Sequence, residues 1–385
     1  MGKRKTFMIF FIVVISVNLI VNLYIFFRTK GVFPENTSFW WMTTILFWLL
    51  AFAYVIGRFT ERSGSEAIAE GFIKAGSIWL GAMVYLTLLF LVADILRGLN
   101  SLFHFSDYLS FNWHDSKGKG AILFVYGLTS VILLIGFINT RNPVVKKVLV
   151  NLEKKVPEGS LKVVLASDLH LGMMNSTNSL KKMVSLINNQ HADLILLGGD
   201  VFDEDLGPVI RNNLGDLLKN LKAKHGVYAV LGNHEFYGNA TEAEKYLKDH
   251  NIVVLRDSLV VLENGITIIG REDLTAESMY GRKRKSVSQL LEGINISNPL
   301  LLLDHQPYHV AEVAESPVDL QVSGHTHNGQ MWPFNYITSA IFDISEGYRK
   351  INSTHFYVSS GYGTWGPPIR TNSRSEIIVL EISGS

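Results

Sequence analysis

The sequence predicts a two-part chain: an all-α N-terminal region of four transmembrane helices, then an α/β domain. Three observations carry this. Residues up to about 140 are dominated by Phe, Leu, Ile, Val and Trp, whereas the rest has ordinary globular composition. Beyond residue 160, short apolar runs alternate with helical patterns, the order of a layered α/β domain. Five of those runs lead into Asp, Asn or His, so the second part carries the chemistry.

A bilayer crossing needs about 20 apolar residues. Such segments fall near Thr6–Phe27, Phe39–Gly57, Ala75–Ala93 and Gly120–Ile138. Lys3-Arg4-Lys5 precedes the first, as in a signal peptide. Its apolar stretch is too long for a signal core and no small-x-small site follows, so it reads as an uncleaved anchor. The opening Met1-Gly2-Lys3-Arg4-Lys5-Thr6 matches a myristoylation pattern, read as chance beside four spans. Asn18 and Asn22 lie one helical turn apart and read as bonds to a neighbouring helix rather than a transport site.

Flanking positive charge sets orientation. With the N-terminus inside, the inner flanks hold Lys3, Arg4, Lys5, Arg58, Arg62, Lys74, Arg141, Lys146 and Lys147. The outer flanks hold Arg28, Lys30, Arg97, Lys117 and Lys119. The inner excess predicts an inside N-terminus, and an even number of spans then makes the second part cytoplasmic.

Composition narrows the function. A net charge of +1 gives no electrostatic reason for a nucleic-acid partner. The absence of cysteine excludes disulfides, thiolate metal sites and cysteine nucleophiles, and it fits a reducing compartment.

Residues 141–160 read as a charged linker with Pro143, Pro157 and Gly159, plus a strand around Val144–Leu152. The domain proper is 161–385. Its helices are expected over Asn178–Asn189, with Leu180, Met183, Val184 and Ile187 on one face, over Pro208–Ala223 with Pro in the first turn, and over Thr241–His250 with Thr241 as cap. Ile252–Gly270 reads as a strand pair turning at Glu263-Asn264-Gly265-Ile266. Arg282-Lys283-Arg284-Lys285 reads as a solvated loop, or as a contact for acidic lipid or an anionic substrate. A last strand pair is expected near His355–Ser359 and Glu376–Ile382.

The five apolar runs are Leu161–Ala166, Leu194–Leu197, Val227–Leu231, Leu300–Leu303 and Leu320–Val322. Bounded by turn residues, they read as buried strands. They lead into Asp168-Leu169-His170, Gly199-Asp200-Val201-Phe202-Asp203, Gly232-Asn233-His234-Glu235, Asp304-His305 and Gly324-His325-Thr326-His327. Loops just beyond strand ends are where ligands sit in such sheets. Any one block is weak, since Asp-x-His and His-x-His are common. Five in order bring carboxylates, an amide and imidazoles to one sheet edge.

These blocks, in this order, resemble the calcineurin-like metallophosphoesterase family over roughly Leu161–Ile382. Gly361-Tyr362-Gly363-Thr364-Trp365-Gly366-Pro367-Pro368-Ile369-Arg370 is similar to a segment of its membrane-associated members. The resemblance implies two facing mixed sheets flanked by helices. It implies one metal on Asp168, His170, Asp200 and His327, and a second on Asp200, Asn233, His305 and His325, with Asp200 bridging. Two divalent metals roughly 3.5–4 Å apart supply a nucleophile and relieve phosphoryl charge. A hydroxide bridging them would attack in line.

His234 matches the family's non-ligand histidine, a general acid toward a phosphoryl oxygen or the leaving group. Asp203 or Glu235 would orient a histidine through its second nitrogen. Arg370 is a candidate phosphate clamp, or else a surface arginine. Asn328 and Gln330 follow the last ligand pair and would shape the substrate pocket. His104, His114, His191, His225, His250, His309 and His355 read as non-ligands. Oxygen and imidazole donors without thiolate suit manganese, iron or zinc.

The expectation is a membrane-bound dinuclear-metal phosphoesterase acting on a phosphomonoester, phosphodiester or pyrophosphate bond. Four spans exceed what an anchor needs, which points to membrane lipids as partners and a lipid-linked phosphate as substrate. Met331–Tyr348 would then be an apolar groove wall, with ordinary loop packing as the alternative, and its aromatic-rich part Trp332–Phe342 would enter the membrane interface. Two other readings stay open. One makes the domain a sensor or regulator of a membrane partner or transport function. The other makes it a nucleotide phosphoesterase merely anchored to the membrane. Oligomeric state is open.

Overall fold

The computed structural model describes residues 2–32, 37–61, 66–175 and 177–384. The chain separates into two compact units, Met1–Ile135 with Gly366–Pro368, and Gly136–Trp365 with Ile369–Ser385.

The first unit is helical: α1 (Gly2–Thr29), α2 (Ser38–Ala51), α3 (Ala53–Glu61), α4 (Glu66–Phe103) and α5 (Ser116–Arg141), whose last turns belong to the second unit. Among the described residues, three helices are long and apolar enough to cross a membrane, over Ile12–Val32, Ala67–Phe103 and Ser116–Arg141. The expected second span is instead a pair, α2 and α3, bent by 56°. The break falls at Phe52, outside helical geometry, whose N–H turns back to the Trp48 carbonyl. Counting that pair as one span gives four crossings, otherwise three. The expected third span is only the middle of α4. No proline interrupts those 38 residues, so the helix runs to about 57 Å, well beyond a hydrocarbon core of roughly 30 Å. Of the charges used for orientation, Arg62 lies outside the described residues, as do Met1 and the side chains of Lys3, Arg4 and Lys5.

Polar side chains tie these helices together. Asn22 is fully buried, donates to the Asn18 carbonyl at 2.8 Å and accepts from Trp79 Nε1 of α4 at 2.9 Å. Asp94 accepts from Tyr24 at 2.6 Å, Arg28 at 2.8 Å and Trp113 at 3.0 Å. An unpaired carboxylate would be costly in an apolar bundle, and these partners satisfy it.

The second unit has two six-stranded sheets. The strands are β1 (Val144–Leu152), β2 (Ser160–Ala166), β3 (Leu194–Leu197), β4 (Val227–Ala229), β5 (Val253–Val254), β6 (Ser258–Val261), β7 (Thr267–Gly270), β8 (Leu300–Leu303), β9 (Leu320–Ser323), β10 (Gly347–Ile351), β11 (Thr354–Val358) and β12 (Glu376–Gly384). One sheet runs β1-β12-β2-β3-β4-β5 and the other β10-β11-β9-β8-β7-β6. Both are mixed: β2 to β5 are parallel, as are β7, β8, β9 and β11, while β12 runs antiparallel to β2 and β6 to β7.

Alternation along the strands sets the layers. Val163, Leu165, Leu194 and Leu196 of one sheet meet Leu301, Leu303, Leu320 and Val322 of the other in one core. The intervening Val164, Ile195 and Leu197 pack under α6 (Thr177–Asn188) through Leu180, Met183, Val184 and Ile187. Leu300, Leu302 and Phe356 pack under the helices Val287–Leu290 and Val310–Ala314. Strands buried on both faces read as unbroken apolar runs, which is why they stand out in the sequence.

Several expectations are corrected. The helix expected over 208–223 is two, Gly207–Arg211 and Leu214–Leu218, broken at Asn213, whose φ of 49° is a conformation Asn tolerates. The next helix, Ala240–Asp249, is capped by Asn239 accepting from the Glu242 N–H, not by Thr241. Ile252–Gly270 supplies three strands: β5 joins the first sheet, and a turn at Asp257, φ 46°, sends β6 and β7 to the second. β11 and β12 are not a pair; they lie in different sheets. The basic run is a loop with Arg282, Lys283 and Lys285 exposed, as expected, but Arg284 is buried 3.0 Å from Asp304. Within 141–160 the strand expected at Val144–Leu152 is present as β1, and β2 begins at Ser160.

Candidate metal centre

The parallel strands of the two sheets deliver their C-terminal loops to one edge. β2, β3 and β4 lead to Asp168 and His170, to Asp200, and to Asn233 and His234. β8 and β9 lead to His305 and to His325 and His327. The turns are sharp. Asp168, His170, Asp200, His325 and His327 all have positive φ, between 43° and 72°. Such left-handed residues cost free energy and persist where the surroundings over-determine them, typically at functional sites. Close approach also demands glycine. A side chain at Gly324 would collide with Ser167 and Asp168, and one at Gly199, itself at φ 91°, would meet the His305 ring.

Among the described residues three groups of ligand atoms result: two are built around Asp168 and Asp200, and a third joins His170, Asp203 and His234. One atom each from Asp168, His170 and His327 lie within 4.8 Å of one another, as do atoms from Asp200, His305 and His325. Asp200 Oδ2 stands between the first two, 3.1 Å from His305 Nε2 and 3.9 Å from His170 Nε2. His170 and His327 face each other Nε2 to Nε2 at 3.0 Å. Asn233 Oδ1 lies 3.2 Å from His305 Nε2. Buried nitrogen and oxygen donors aimed at two shared points fit a pair of divalent transition metals. Among the described residues, the seven other histidines join none of these groups.

The electrostatics suit that use. Burial lowers His170 to about 4 and His325 to about 3, so both stay neutral, the form a metal binds. Burial raises the Asp168 carboxyl to about 6. Burial opposes charging His305, but Asp200 outweighs it and holds this imidazole well above its usual range. A metal binding there would displace a proton.

His234 stands beside the first group, its ring 4.6 Å from that of His170. Burial would lower its pKa, but Asp203, 3.2 Å from Nδ1, and Asp200 raise it to about 9. Glu235 faces backbone instead. It accepts from the N–H of Gly232 at 2.7 Å, Phe202 at 2.8 Å and Asp200 at 3.2 Å, and so ties the β3 and β4 loops together. Of the two acids expected to orient a histidine, the structure places Asp203 on one.

Arg370 is not placed as a clamp on substrate. It is fully buried, and its guanidinium donates to the Gly363 carbonyl at 2.7 Å, Ser373 Oγ at 2.9 Å and His327 Nδ1 at 3.1 Å. Burial, His170 and Arg370 together hold His327 well below the usual imidazole range. Replacing Arg370 by Lys keeps a charge but loses the fork that fixes this ring. The expected result is metal affinity weakened by about 10–100-fold, as for other groups behind a ligand. Metal titration checks it; a higher KM at unchanged metal affinity would restore the clamp.

Asn328 is buried, with its backbone held by Thr326 Oγ1 and Asn372. Gln330 grips the Trp365 backbone, accepting from its N–H at 3.0 Å and donating to its carbonyl at 3.1 Å. Trp365 and Tyr237, both exposed, stand 6.0 and 5.6 Å from the His234 ring. Asp273 was not anticipated. It is buried in the loop after β7, the strand beside β8, and its charge helps hold His305 high. Gln306 Nε2 donates to both its oxygens at 2.9 Å. The apolar run Ile266–Ile269 followed by Gly270 and acids is the same strand-end signal as the five blocks.

Fold and donor set define a metal-dependent α/β protein with two adjoining cation sites. Residues 161–329 match the model of the calcineurin-like phosphoesterase family. An uncharacterized metallophosphoesterase of Helicobacter pylori is 35% identical over 62% of this chain and 64% of its own length. One of Campylobacter jejuni is 34% identical over 66% of this chain and 68% of its own length. A zebrafish transmembrane protein with metallophosphoesterase domain is 31% identical over 66% of this chain and 61% of its own. The chain belongs to the calcineurin-like metallophosphoesterase family.

Proposed function

We propose that this protein is a membrane-anchored dinuclear-metal phosphoesterase. One observation carries the reading: the group of Asp168, His170 and His327 adjoins that of Asp200, His305 and His325, with Asp200 Oδ2 3.9 Å from His170 Nε2 and His234 alongside. Asp168, His170, Asp200 and His327 would hold one metal, and Asp200, Asn233, His305 and His325 the other. When bound, the pair activates water and neutralises charge on the phosphoryl oxygens. His234, kept protonated by Asp203 and Asp200, gives its proton to the leaving oxygen. Glu235 keeps Asp200 and His234 in register by holding both loops. The donor set suits manganese, iron or zinc. The substrate is a phosphomonoester, phosphodiester or pyrophosphate, with a lipid-linked phosphate supported by the apolar helices. Purified full-length protein with manganese is expected to hydrolyse at least one member of a panel of lipid phosphates, nucleotides and cyclic nucleotides. No hydrolysis with manganese, iron or zinc would overturn the reading.

Positive charge on the flanks supports an inside N-terminus, with the α2–α3 pair counted as one crossing and the catalytic unit in the cytoplasm. A reporter fused after Ser385 is then expected to behave as cytoplasmic, and a tag at Tyr108 to be labelled from outside. Cleavage of the catalytic unit by external protease in intact cells would reverse the topology.

A further inference from the structure

The aromatic stretch after the last ligands runs as a loop to Phe334 and then forms α7 (Asn335–Ile341), which buries none of its residues. Tyr336, Ile337 and Ile341 are 66%, 56% and 57% exposed, and Trp332, just before the helix, is 49% exposed. Positions 336, 337, 340 and 341 fall on one helical stripe. A contiguous exposed apolar face of this kind marks an interaction site rather than ordinary surface. What holds the helix is the next residue: Phe342 is buried, its ring 4.8 Å from Tyr308 and 5.8 Å from His325.

We propose that this face seats in the headgroup region of the bilayer that α5 crosses. The proposal rests on the reading that the chain is membrane-anchored. Two observations favour lipid over a protein partner. The first is connectivity within the second unit. The Arg370 N–H donates to the Gly136 carbonyl in α5 at 3.0 Å, and Asn139 of α5 donates to the Arg370 carbonyl at 2.9 Å. The neighbouring Thr371 accepts from the Trp332 N–H at 3.0 Å through Oγ1. Trp332 is therefore held close to the last turns of α5, the C-terminal end of the apolar stretch Ser116–Arg141. The second is composition. Trp and Tyr beside branched aliphatic side chains suit the boundary between headgroups and acyl chains, where an apolar body and a polar tip are both satisfied. Arg349 adds an exposed cation nearby, donating to the Asp343 carbonyl at 2.8 Å. Because Phe342 touches the His325 ring, lipid contact at α7 would place the metal centre next to substrates lying in the membrane surface.

The test uses the natural absence of cysteine. Full-length Ile337→Cys, Ile341→Cys, Leu134→Cys and Lys219→Cys variants are labelled with a fluorophore. Each is reconstituted in phosphatidylglycerol nanodiscs containing a headgroup-proximal nitroxide lipid. Leu134, in α5, reports whether the chain is embedded, and exposed Lys219 reports background. Labels at 337 and 341 are expected to be quenched several-fold more than the label at 219. Quenching at 134 with background levels at 337 and 341 would overturn this proposal while leaving the anchor intact. Background quenching at 134 as well would instead sink the membrane anchor on which it rests. Crosslinking between copies of the Ile337→Cys variant, without lipid quenching, would assign the face to a second copy and reject lipid.

Discussion

Replacing Asp200 by Ala is expected to remove both metals and abolish turnover. Its Oδ2 stands 3.1 Å from His305 of one group and 3.9 Å from His170 of the other, the position of a bridge. Its Oδ1 accepts the His234 N–H at 2.9 Å, which also positions the proposed acid. Without it, two cations would face each other across imidazoles with no anion between them. Metal analysis should fall from about two per chain to well under one, and turnover by more than about 10³-fold, because nucleophile activation and charge neutralisation are lost together. Full metal retention in this variant would refute the bridging role.

Replacing His234 by Asn should separate chemistry from binding. The ring meets Asp203, Tyr237 and Trp365, and with His170 and Asp203 it forms a group separate from the two built around Asp168 and Asp200. Metal content should therefore stay near wild type while turnover drops by roughly 10²–10⁴-fold, the usual worth of a positioned acid. A substrate whose leaving group needs no proton should lose much less. Loss of metal with the ring would make His234 a ligand and reassign the acid. Asp203→Asn should mimic the defect more weakly, since it removes the charge that keeps the ring protonated without removing the ring.

Much of this centre is legible in the chain because it is built from local pieces. A strand buried on both faces must be apolar throughout, and a ligand loop must follow its end. Each block therefore carries its own signature, from Leu161–His170 to Leu320–His327. The helix Thr177–Asn188 is equally visible because its buried residues recur at helical spacing. The break at Asn213 and the bend at Phe52 are less so. Each depends on one residue's backbone geometry inside a stretch whose periodicity reads as continuous helix.

What the sequence by itself determined is therefore the two-part plan, the five buried strands that lead into the donors, and the order of those donor blocks. What only the tertiary structure decided is which groups meet across the chain. Arg370 follows a glycine-rich segment and reads as a phosphate clamp or a surface arginine, yet folding buries it against His327, 43 residues away. Glu235 sits next to His234 but turns to the backbone of the β3 loop. β11 and β12 are near neighbours in sequence but pair in different sheets. Arg284, within a run of four cations, is spent on buried Asp304. The physical reason is common to all four. Composition and period report what a segment must bury, whereas a polar side chain's partner is set by long-range register and by the cost of leaving a buried donor or charge unmet.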